Sequence, residues 1–94
     1  ETRTLYGAEA KYLVALQWYN AGNYASAEKE ILNFIDQSTP YAYWLARSFI
    51  LLSDVYVAMD KKLDARQYLL SLQQNYQADD DIASMINERL EKLK

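Results

Sequence analysis

A chain of 94 residues with 51% apolar and 24% charged side chains describes one globular domain, not a disordered segment. The absence of Cys and His excludes disulfides and thiolate chemistry, and removes the commonest general base and transition-metal ligand, while leaving the redox compartment open. A net charge of −3 with no long basic run lacks the clustered cations on which phosphate binding rests, so nucleic acid is not an expected partner.

Two Gly and one Pro leave little turn chemistry for hairpins, and the chain reads as all-α. From Ala8 to Asn20, apolar residues at 8, 12, 15, 16 and 19, widened by Leu13, Val14 and Trp18, predict a helix apolar over more than half its circumference. Ala21-Gly22-Asn23 breaks it, Gly22 taking a left-handed closing conformation and Asn23 capping the next helix. Tyr24 to Gln37 carries a narrower stripe at 24, 27, 31, 34 and 35 and reads as a surface helix.

Ser38-Thr39-Pro40 is a start signal, a hydroxyl cap candidate followed by Pro at the first helical position. The run Tyr41 to Met59 is the most apolar of the chain and predicts a helix packed on both sides. Its length raises the question of a membrane span, but Arg47 and Asp54 inside it argue against lipid, and no transmembrane segment is expected. After Asp60-Lys61-Lys62, residues Leu63 to Tyr76 form a second amphipathic surface helix with apolar positions 65, 68, 69, 72 and 76. The acids Asp79-Asp80-Asp81 complement the start of a last helix, Ile82 to Leu93, as Lys92 and Lys94 complement its end. Without alternating ligands or a following Gly, the acidic run reads as a helix start rather than a metal loop.

Sliding the chain on itself by 38 residues places Val14, Ala15 and Trp18 on Leu52, Ser53 and Tyr56, and Ala27, Ile31 and Phe34 on Ala65, Leu69 and Leu72. Each unit is a long helix with a small residue between large ones, a short turn, and a second helix opened by Ala. The small residues let two antiparallel helices approach closely while their larger neighbours interdigitate. Units at 8–39 and 40–77 followed by a capping helix at 80–93 give about five helices in one domain.

At these residues the chain resembles the tetratricopeptide repeat family. Val14-Ala15-x-x-Trp18-x-x-x-Gly22-x-Tyr24-x-x-Ala27 matches the first unit, and Leu52-Ser53-x-x-Tyr56 with Ala65-x-x-x-Leu69 matches the second more loosely. The period is 38 instead of 34, Phe34 and Leu72 stand at a usually small position, and Asp60 stands where a turn Gly is expected. Four extra residues are about one helical turn, so longer helices account for the period. In this the chain looks like the long-helix repeats of bacterial cell-envelope proteins, the barrel-assembly lipoprotein and the Tol-Pal accessory protein among them, a likeness that implies the periplasm or cell envelope.

The polar outer side of the last helix, with Ser84, Glu88 and Glu91, suits the natural end of an array. The first helix, apolar nearly all round, is expected to have an upstream repeat before it, or to mediate homo-association.

The resemblance implies a non-catalytic scaffold that binds a protein or peptide partner on the concave face lined by the first helix of each unit. Carried over by repeat position, that face comprises Glu9, Tyr12, Leu16, Tyr19 and Asn20 from the first unit and Arg47, Ile50, Asp54, Val57 and Ala58 from the second. Arg47 and Asp54 either orient a bound peptide or pair with neighbours, Arg47 with Glu9 or another acid and Asp54 with a nearby donor. The family's carboxylate-clamp variety is disfavoured, because Leu16 and Asp54 occupy two groove positions. Tyr41, Tyr43 and Trp44 are candidates for an exposed aromatic edge. No nucleophile–base pair, metal-ligand set or Gly-rich phosphate loop is present, so neither catalysis nor a cofactor is expected. The alternative is a spacer or self-association end of a longer solenoid, without a groove ligand.

Overall fold

The computed structural model describes residues 4–37 and 39–94. Among the described residues five helices follow one another: α1 (Leu5–Asn20), α2 (Tyr24–Asp36), α3 (Ala42–Ala58), α4 (Lys62–Asn75) and α5 (Ile82–Lys92). Helix α2 packs on both α1 and α3, and α4 on both α3 and α5; α1 and α5 also touch α3 directly. The chain is therefore a layer of α1, α3 and α5 with α2 and α4 laid over its two seams. Its shortest dimension of 18 Å is what two layers of helices about 10 Å across occupy.

The turns carry the repeat most clearly. At the first, Gly22 has φ +79°, its N–H bonds to the carbonyl of Tyr19, and the Asn23 N–H bonds to that of Trp18. Thirty-eight residues on, Asp60 has φ +61°, its N–H bonds to Val57 and that of Lys61 to Tyr56. Both are Schellman closures with the fifth residue in the left-handed region. The next helix then begins in the same way, the Ala27 N–H on Asn23 and the Ala65 N–H on Lys61, each at 3.1 Å.

Close packing falls where the small residues are. Ala15, Ala27, Ser53 and Ala65 are all buried, the three alanines in one cluster with Ile31, Leu52 and Val55. Ser53 loses no hydrogen bond by burial, because its Oγ donates to the Ile50 carbonyl at 2.7 Å, as Ser48 does to Trp44 at 2.9 Å. A second cluster joins Ala46 and Ile50 to Leu69, Leu72, Ile82 and Ile86. Helix α3 feeds both clusters, and no described helix is long and apolar enough to cross a membrane. The apolar excess of residues 41–59 is core.

Two helix starts differ from expectation, and a third is capped in an unexpected way. Helix α1 starts at Leu5, before Ala8, because Thr4 Oγ1 accepts the Gly7 N–H at 2.9 Å and so caps a turn that contains a glycine. Helix α3 starts at Ala42, leaving Pro40 outside: the Tyr41 N–H bonds to Thr39 Oγ1 at 3.3 Å in a side-chain turn that delays entry. The other cap candidate, Ser38, lies outside the described residues. Helix α5 is capped from two residues back, Asp80 Oδ1 accepting the Ile82 N–H at 3.0 Å.

Candidate partner-binding face

Helices α1, α3 and α5 present one side of the slab, and two rows of side chains cross it. The first row starts at Tyr12, whose hydroxyl accepts from Arg47 Nη2 at 3.2 Å while its ring lies 5.2 Å from the guanidinium. Arg47 Nη1 donates to the Tyr43 hydroxyl at 3.1 Å, and that hydroxyl donates to Asp81 Oδ1 at 2.9 Å. The direct approach of Arg47 to Asp81 is only 3.9 Å. Burial opposes the Arg47 charge, yet its two phenol acceptors outweigh that and raise its pKa. Arg47 Nε is buried and without a hydrogen-bond partner among the described residues.

The second row lies two turns along. Arg89 Nε and Nη2 donate to Asp54 Oδ1 and Oδ2 at 2.9 and 3.1 Å, a bidentate pair with both side chains three-quarters buried. Tyr19 stands beside it, its phenol pKa pushed up by burial and next by the Asp54 carboxylate. Between these residues opens a cleft of about 440 Å³, lined among others by Tyr19, Asp54, Val57, Lys62, Arg89 and Lys92. It sits at the C-terminal ends of α1, α3 and α5, where free carbonyl groups favour cations such as Lys92.

Of the residues expected on this face, Tyr19, Asp54 and Val57 line the cleft, and Asn20 and Ala58 are exposed nearby in sequence. Glu9 is half-buried on α1, and Leu16 is half-buried against the core. Two residues sit elsewhere. Ile50 is 1% exposed, packed in the second cluster with Leu69, Ile82 and Ile86, because α4 and α5 close over the position a groove floor would need. The Tyr12 ring is buried against Trp44, with centroids 5.5 Å apart, so only its hydroxyl serves the surface row. Tyr41, Tyr43 and Trp44 do not form an exposed edge: all three are half-buried, and Trp44 sits between Tyr12 and Tyr43.

Asp54 has a nearby donor, as expected, in Arg89. Arg47 meets not Glu9 but another acid, Asp81, at 3.9 Å, and bonds chiefly to two tyrosines. Arg89 is a residue that the solvating-cap reading of α5 left out of the face, along with Lys92 and the first residue of α4, Lys62. A signal was available: Tyr12 to Arg47 and Asp54 to Arg89 are both 35 residues apart, one turn short of the 38-residue repeat. Lateral neighbours on successive helices are staggered by that turn. Compared with known proteins, the chain matches no family model, no curated protein and no solved structure.

Proposed function

We propose that this chain is a non-catalytic, tetratricopeptide-like interaction module that holds an extended segment of another protein in the cleft at the C-terminal ends of α1, α3 and α5. The observation that carries the reading is the cleft itself: Tyr19 and Val57 offer apolar wall while Lys62, Lys92, Glu88 and the Asp54–Arg89 pair offer charge of both signs. A peptide with apolar and charged side chains in alternation meets that lining, and tyrosine and arginine are the residues that most often anchor such contacts. The overall charge of −3 favours protein over nucleic acid. Placement in a bacterial cell envelope rests on the 38-residue period alone.

A photo-crosslinking side chain at Val57 tests the reading in the cells that make the protein. A specific heterologous protein is expected to be captured there and not from Gln67, an exposed position on α4, and the capture should weaken with Tyr19→Ala at unchanged melting temperature. Capture of the same proteins from both positions, or of none, sinks it. The spacer reading is favoured by a different observation, the uncharged outer side of α1.

A further inference from the structure

The 38-residue offset compares faces as well as turns. Leu13, Val14 and Trp18 on α1 are 46%, 41% and 40% exposed, whereas Leu51, Leu52 and Tyr56, their equivalents on α3, are 3%, 0% and 7% exposed. Ala10 and Gln17 are exposed too, where Ser48 and Val55 are buried. What covers the α3 residues is the preceding hairpin, with Ala27 and Ile31 of α2 in the same cluster as Leu51, Leu52, Val55 and Tyr56. The α1 stripe of Ala10, Leu13, Val14, Gln17, Trp18 and Ala21 carries no charge, and an indentation of about 280 Å³ lies between Val14, Gln17, Trp18 and Ala21. It is the internal docking surface of the repeat, without the helix that fills it on α3.

We infer that the occupant of this face is a helix of the α2 kind, lying immediately ahead of α1 in the same polypeptide. The repeat sets its register: α2 ends at Asp36, α3 begins at Ala42 and α1 begins at Leu5, so the same link ends the preceding helix about two residues before Glu1. It sets the chemistry as well. The helix faces α1 with a small residue like Ala27 followed by large apolar residues four and eight positions later, like Ile31 and Ile35.

A second copy of the chain fits less well. The face of α2 that covers α3 is already engaged, and the outer side of α5 offers Ser84, Glu88 and Glu91, which are polar. Symmetric α1–α1 pairing would draw on Tyr6, Leu13, Val14 and Trp18, each exposing on the order of 100 Å², still well below the roughly 800 Å² per partner of a stable dimer. A helix tethered by a short link needs no such area, because the tether supplies millimolar effective concentration.

The test compares the 94-residue chain with a longer natural polypeptide that carries residues ahead of Glu1, with Trp44→Phe in both and any upstream Trp also replaced by Phe, so that Trp18 is the only indole. Acrylamide quenching of Trp18 is expected to fall at least threefold in the longer polypeptide. Val14→Glu should restore the quenching there while leaving the melting temperature of the 94-residue chain within two degrees, as befits an exposed position. Equal quenching in the two polypeptides, or the lack of any helix-forming residues ahead of Glu1, overturns the inference. So does protection of Trp18 in the 94-residue chain that rises with concentration alongside a dimer in light scattering, which would assign the face to a second copy.

Discussion

Gly22 and Asp60 stand in the same left-handed backbone conformation, one repeat apart, and close α1 and α3 with the same pair of hydrogen bonds. An L residue pays for that conformation through its Cβ, less for Asp than for most. Asp60→Gly is therefore expected to raise stability by about 0.5 to 1 kcal/mol, the relief of strain exceeding the added freedom of the unfolded chain. Gly22→Ala should cost about 1 to 2 kcal/mol although nothing lies within 4 Å of the added methyl, since the penalty is in the backbone. Urea unfolding of the two variants measures both signs, and a neutral Gly22→Ala would show that the turn tolerates any residue.

The turns, helix number and close-packing points were legible because each depends on a few neighbouring residues that recur at one offset: Gly22 with Asp60, Ala15 with Ser53, Ala27 with Ala65. The face was less legible. Repeat equivalence assigns Ile50 to a groove, but a terminal helix packs over it; and Arg89 is invisible to a reading that makes α5 a solvating cap. Helix α3 starts two residues beyond Pro40 because Thr39 bonds the Tyr41 N–H and holds the chain outside the helix, a local turn that the Pro signal does not reveal.

Ile50 gives the sharpest energetic contrast with the expected groove residues. Truncating a side chain enclosed by Leu69, Ile82 and Ile86 removes both its transfer free energy and its packing, so Ile50→Ala should cost about 2 to 5 kcal/mol. Asn20→Ala, at an exposed helix end, should stay within about 0.5 kcal/mol. Thermal denaturation of both distinguishes core from surface; comparable small shifts would mean that α5 does not hold its place over α3.

The Asp54–Arg89 pair is the main polar link between α3 and α5. Being bidentate and three-quarters buried, it should couple by about 1 to 2 kcal/mol, more than an exposed pair. A double-mutant cycle of Asp54→Ala and Arg89→Ala, read from unfolding free energies, gives that coupling directly. Zero coupling would make the two side chains independent and the floor of the cleft adjustable.

Alkaline pH offers a test of the junction between α4 and α5. Burial, and next the hydrogen bond its hydroxyl donates to Asp80 Oδ2, push the Tyr76 phenol up to about 12. The same carboxylate caps α5 through the Ile82 N–H, so one side chain ties the end of α4 to the start of α5. A phenol whose pKa is higher in the folded than in the unfolded state binds more protons when folded, so its contribution is complete below about pH 10 and declines as pH rises toward 12. Tyr56 and Tyr19, also raised chiefly by burial, act in the same direction. Stability should accordingly fall above pH 10, and Tyr76→Phe should make that fall shallower. Asp80→Ala should bring the Tyr76 Cζ resonance to titrate nearer 10 and cost about 1 kcal/mol at neutral pH through the lost cap. An unchanged Tyr76 titration in Asp80→Ala would leave burial, with Tyr43 and Asp81 nearby, as the cause of the shift and detach the phenol from the cap.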